Sequence, residues 1–281
     1  MTRALAWCAE LVSALPPSAE LDSRSWRSDP LLRAFFSSVD DLREVLGASR
    51  EVRDFFASHP SPAQRCHAML SAVRSERTVL GSELQGDVMR RDVKQRSVSF
   101  GDRRLVRPAA SDEELHRELE DRAFEVLVGY VLERIAALLA SRHSLEERRS
   151  LLEAERRLAR TRKAGLASLF GEQEEAEGEG LEAHYRRTSE ALEQARARLD
   201  TLDDYIDRIS EVLGEPQHYL QVHTLSLRLN VMNIVVEAND PSGHDLRLTE
   251  VSLADERRRV IVPVCFGAQE LPPQKDFLAG A

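Results

Sequence analysis

The chain has 281 residues, 42% hydrophobic, 31% charged and only 5% aromatic, with a net charge of −9. That length fits one large domain or two to three small ones, and the charge bias suits long exposed helices better than a compact enzyme. The acidic balance excludes a generic polyanion binder, and no apolar run approaches the roughly 20 residues of a membrane-spanning helix.

Lysine is confined to Lys94, Lys163 and Lys275, which leaves 36 arginines, a bias expected of a GC-rich bacterial coding sequence. Cys8, Cys66 and Cys265 are far apart and odd in number. They predict neither a zinc site nor a disulfide framework but small buried hydrophobes in a reducing compartment. No basic-then-apolar leader opens the chain, so a soluble cytoplasmic protein is expected.

Thr2 caps a first predicted helix with Leu5, Cys8, Leu11, Val12 and Leu15 on one face, and Pro16-Pro17 ends it. Asp29-Pro30 reads as N-cap plus N1 proline before Leu31, Leu32, Phe35 and Phe36. Short helices follow from about Asp40 to Gly47 and from Ser49 through Phe55 and Phe56. Ser61-Pro62-Ala63-Gln64 reads as a capping box opening a helix with Cys66, Met69, Leu70 and Val73, continuing toward Arg91. Residues 1–96 therefore read as a helical N-terminal unit.

The texture then changes. Arg90, Arg91, Lys94, Arg96, Arg103, Arg104 and Arg107 face only Asp92 and Asp102 between residues 88 and 107. Val98 and Phe100, Gly101-Asp102, then Leu105-Val106 predict a short hairpin with a glycine turn, so 97–110 reads as a basic hairpin and linker. These cations are the candidate contact for a phosphate backbone or an acidic protein. The competing reading pairs them with the chain's own acids.

Ser111 with Glu114 is another capping box, and the segment from Phe124 to Ala140 is apolar nearly all round, which predicts a central buried helix. Ser144 with Glu147 predicts a restart or kink. Leu145, Leu152, Ala159 and Leu166 then recur every seven residues. The acidic, glycine-rich stretch 171–180 predicts a solvated loop. Beyond it Leu181, Tyr185, Thr188, Leu192, Ala195, Leu199, Leu202, Ile206, Ile209 and Leu213 form an unbroken heptad seam. Two adjacent seamed segments joined by a loop predict an antiparallel coiled-coil hairpin within 111–214. Arginines dominate its first arm and acids the second, which suits pairing within the chain or between copies.

Past Gly214 and Pro216 the period becomes two. Leu225, Leu227, Leu229 and Val231, then Leu246 and Leu248, then Val260, Val262, Val264 and Phe266 predict a three-stranded antiparallel meander over 215–267, with Pro263 suggesting an edge strand. Residues 268–281 read as a flexible tail.

No phosphate loop, dinucleotide fingerprint, nucleophile elbow or HExxH occurs. His218 and His223, with Glu215, Asp240 and His244 nearby, are the remote candidates for a metal-dependent enzyme. Asp203, Asp204 and Asp207 read as a solvated helix face rather than a carboxylate pair. Neither a catalytic residue nor a metal ligand nor a cofactor is assigned. The expected fold class is α+β, mostly α, and the expected function is a non-enzymatic interaction or scaffold protein. It would be a subunit of a larger cytoplasmic assembly, associating through the hairpin with a protein partner or with itself. The alternative is a nucleic-acid-associated accessory factor using the basic segment 90–107; no membrane partner is expected.

Overall fold

The computed structural model describes residues 2–59, 61, 64–85, 88–166, 173–199, 201–254 and 257–273, with the backbone alone over 82–85, 88–90, 162–166 and 173–179. Eight helices and six strands are described. The helices are α1 (Thr2–Ser13), α2 (Ser25–Ser28), α3 (Pro30–Phe35), α4 (Val39–Ala48), α5 (Arg50–Ser58), α6 (Asp112–Leu166), α7 (Gln173–Arg196) and α8 (Leu202–Gly214). The strands are β1 (Ala19–Glu20), β2 (Arg65–Gln85), β3 (Val88–Ala109), β4 (Leu220–Leu229), β5 (His244–Leu253) and β6 (Arg257–Gly267). They fall into two units: residues 1–124 with 215–281, and residues 125–214.

The first unit is built on one sheet ordered β3-β2-β6-β5-β4, with β1 added in parallel to β6. This corrects the expected fold. Strand makes up 30% of the described residues, and a six-stranded sheet replaces the small C-terminal meander. The largest error is the helix expected from residue 61 toward Arg91. Pro62 and Ala63 lie outside the described residues, Ser61 and Gln64 are in coil, and Arg65 begins a 21-residue strand. Cys66, Ala68, Leu70 and Ala72 are fully buried on one face of β2, opposite Phe266, Val264, Val262 and Val260 of β6. Met69 is buried on the other face. A strand covered on both faces loses its alternation, and alanine and leucine then imitate a helical stripe.

β3 carries the second correction. Gly101-Asp102 makes no turn; the strand runs through it with a register shift. Three such shifts bulge β3 against β2, and each falls at a residue with positive φ: Asp92 (61°), Asp102 (45°) and Arg107 (58°). Aspartate tolerates that backbone because its short side chain bonds locally. The outer edge of β3 is met by the turn after β4. Val98 N–H donates to the Asn233 carbonyl at 2.8 Å, Val235 N–H donates to that of Arg96 at 2.8 Å, and Leu229 bridges Val235. The ladder thus returns from β4 to β3 through residues 233–235. Pro263 was expected on an edge, yet β6 is central. The proline fits because it lies between Ile261, the last residue paired with β5, and Val264, the first paired with β1.

α3, α4 and α5 cover the core face. Asp29 caps α3 through Leu31 N–H at 2.8 Å, and Ser38 and Ser49 cap the next two helices. Phe35 stacks on Phe100 at 4.3 Å between ring centroids, and Leu32, Phe36, Leu42, Leu46 and Val52 are buried with the strand residues. Each such side chain contributes about 1.5–3 kcal/mol on burial. Arg103 ties this layer down: it pairs bidentately with Asp41 at 2.8 Å, donates to the Phe35 carbonyl and lies over the Phe36 ring. Part of the segment read as a loose tail is also fixed, since buried Glu270 accepts from Ser23 at 2.8 Å. Residues 274–281 lie outside the described residues.

In the second unit α6 is continuous through Ser144 and Glu147, so the restart expected there does not occur. Of the acidic loop expected over 171–180, residues 171 and 172 lie outside the described residues, while Gln173 onward is already helical. The unbroken helix expected over 181–213 is divided, with α7 ending at Arg196 and α8 starting at Leu202. The cause is local. Thr201 and Asp204 form a reciprocal box: Asp204 N–H donates to Thr201 Oγ1 at 3.3 Å, and Thr201 N–H to Asp204 Oδ2 at 2.7 Å.

Candidate interaction surface

The helical unit can be built outward from its seam. α7 runs antiparallel to α6: Arg196 meets Glu146 at 3.2 Å, Arg142 donates to the Leu199 carbonyl at 3.4 Å, and Arg156 meets Glu182 at 2.8 Å. The Arg156 guanidinium also covers the Tyr185 ring at 4.1 Å. Arg196 and Arg142 together hold the Glu146 carboxyl below its usual range. Between these pairs Leu152, Thr188, Leu192 and Leu199 are buried. Leu181 and Tyr185 are half-buried at one end of this row.

The other predicted seam residues behave differently. Leu202, Ile206 and Ile209 share one face of α8 at helical spacing and are exposed, Leu202 by 76%; only Leu213 is buried. α6 shows the same disposition. Leu127, Tyr130, Val131 and Ile135 are buried, but Leu132, Leu139, Leu151 and Leu158 are exposed, so the segment expected to be buried all round has one covered face. Seven of the twelve large apolar side chains exposed among the described residues belong to the helical unit, which places the unsatisfied apolar surface there rather than on the sheet.

Charge gives this surface a direction. α8 carries Asp203, Asp204, Asp207 and Glu211 against Arg208 alone, so its apolar row has an acidic rim. On α6 the exposed Glu147, Arg148 and Glu155 lie one helical turn from Leu151, so the rim of that row is mixed in charge. No family model, curated protein or solved structure matches this chain. The reading of the surface therefore rests on its own chemistry.

The basic residues of 90–107 are dispersed in role. Arg103 is engaged with Asp41, Arg104 with Asp102 at 2.8 Å, Arg107 with Glu118 at 3.6 Å and Arg96 with Glu76 at 3.5 Å. Arg91 and Lys94 are exposed, and the Arg90 side chain lies outside what is described. Four of these cations are thus paired with four different acids of the chain. His218 pairs with Glu215 at 3.0 Å, while His223 contacts Gln221 at 2.9 Å. Among the described residues no three metal-ligating side chains converge.

One arrangement escaped the sequence. Arg65 and His67 of β2, Cys265 of β6 and Asp112 at the start of α6 form a contiguous polar row on the sheet face opposite the core. Strand pairing places His67 directly across from Cys265, 198 residues away in sequence. No spacing rule reaches that far.

Proposed function

We propose that this chain is an interaction protein that associates with a second copy of itself through the apolar rows of its helical unit. The observation that carries the reading is α8, an amphipathic helix whose apolar face, Leu202, Ile206 and Ile209, is turned to solvent. Leaving such a row exposed costs the isolated chain solubility and conserves surface for association.

The acidic rim argues against pairing α8 with another α8, because like charges would face each other. An apolar row whose rim is not acidic throughout fits better, and Leu151 and Leu158, with Arg148 and Glu155 on the rim, meet that description on the same molecule. Pairing α8 of one copy with α6 of another is isologous when made twice in a two-fold dimer and closes into a ring when made head to tail.

Light scattering after size exclusion tests this over a range of concentrations. A mass that is a multiple of 31.7 kDa is expected for the wild type, and Ile206→Asp and Leu151→Asp should each return it to the monomer with unchanged helical circular dichroism. A wild type that stays monomeric up to about 100 µM, where even weak contacts of roughly 5–6 kcal/mol register, overturns self-association.

A further inference from the structure

The three cysteines occupy different chemical settings. All are buried. Burial pushes the Cys8 thiol up to about 11 and the Cys66 thiol up to about 12. The Cys265 thiol also stands above its ordinary value, with burial the largest cause, but a cation takes back part of that rise: Arg65 donates its Nε–H to Cys265 Sγ at 3.1 Å. On the other side His67 Nε2 lies 3.4 Å from the sulfur. The second ring nitrogen, Nδ1, is buried without a hydrogen-bond partner, and Asp112 Oδ1 stands 3.7 Å from it. A neutral ring leaves that gap open, whereas a charged ring draws the carboxylate in. Ser18 holds Asp112 in place with a 2.6 Å hydrogen bond, and Glu20 pairs with Arg65.

Sulfur, imidazole and carboxylate stand in a row, with a guanidinium on the sulfur. That is the arrangement of an activated thiol: a base to take the proton, a carboxylate to stabilise the imidazolium and a cation to stabilise the thiolate. Cys265 is only 6% exposed, so a peptide or other bulky substrate has no approach to it.

We propose that Cys265 is a peroxide-oxidisable thiol, activated by His67 and Arg65. The thiol proton passes to His67 Nε2. The thiolate sulfur attacks one oxygen of hydrogen peroxide, a sulfur–oxygen bond forms and the oxygen–oxygen bond breaks. Sulfur is oxidised by two electrons to the sulfenic acid, and the departing hydroxide takes the proton back from His67 and leaves as water. Arg65 remains hydrogen-bonded to the sulfur throughout.

The test treats the intact protein with hydrogen peroxide, traps sulfenic acid with a dimedone probe and quantifies each cysteine by peptide mass spectrometry, in buffer and in urea. An activated thiol reacts faster folded than unfolded; a merely buried one reacts slower. Cys265 should be labelled about tenfold faster in the native chain than in urea, while Cys8 and Cys66 show the reverse order. Arg65→Met should remove most of the native rate and Arg65→Lys should keep part of it, with folding checked by circular dichroism. If Arg65→Met does not fold, the wild-type comparison decides alone. Cys265 following Cys8 and Cys66, slower native than unfolded, overturns the proposal, and an undiminished rate in folded Arg65→Met overturns the part assigned to Arg65.

Discussion

Leu192→Ala tests whether α7 is held by its buried row. Leu192 is fully buried between Thr188 and Leu199 on the face of α7 that meets α6. The substitution removes three buried carbons, about 0.8 kcal/mol each in transfer from water, or about 2.5 kcal/mol in all. The surrounding helices collapse only partly into the space, and the residual cavity raises the total to about 3–5 kcal/mol. Alanine is also the better helix former, which returns a few tenths of a kcal/mol. The net loss is therefore expected near 3 kcal/mol. Urea unfolding followed by helical circular dichroism measures it, with Leu202→Ala as the matched change at an exposed position, expected within about 0.5 kcal/mol of wild type. A Leu192→Ala loss below about 1 kcal/mol, or equal losses for the two variants, would refute the division of the seam into a buried half and an open half.

On the sheet, Phe266→Ala should cost about 3–5 kcal/mol in chemical denaturation, because the ring is fully buried among the strand and helix residues. Arg103→Met should cost about 2–3 kcal/mol, since Asp41 keeps its charge in a largely covered site and loses its bidentate partner. Acid stability reports on the same pair. Burial pushes the Asp41 carboxyl up, but hydrogen bonds from Arg103 and Ser37 outweigh it and hold the group below the ordinary aspartate value of 3.8. The stabilisation is whole above that value and is lost as pH falls through the lower, folded one. Melting temperatures of wild type should drop on this acidic limb more steeply than those of Arg103→Met; parallel curves would show that the pair is not the source.

What the sequence revealed was mostly local. Asp29-Pro30 caps α3 and Ser111 caps α6 through Glu114 N–H at 3.2 Å, each within its own few residues. Alternation over 257–267 marks β6 because valine and phenylalanine repeat at a period of two. The failures come from competition between signals. In β2, burial on both faces removed the alternation. At Thr201 a capping box outweighed a heptad pattern that ran straight through it. At Ser144 the reverse happened, and a matching box stayed unused inside a helix whose flanks carry strong helix formers. The row around Cys265 was illegible for another reason: its members sit at 65, 67, 112 and 265, and only the pairing of β2 with β6 brings them together.

That same pairing sets an order of events during synthesis. The edge of β2 that pairs with β6, over Arg65 to Ala72, leaves the ribosome nearly 200 residues before β6 exists. Residues 125–214, a compact unit of their own, are made in that interval. The ribbon of β2 and β3 must wait with one edge unpaired and an apolar face open, a state that invites pairing with another nascent chain. The charged far end of the ribbon, with Arg77, Arg91, Lys94 and Arg96 exposed, gives the waiting strand a repulsive guard against its own kind.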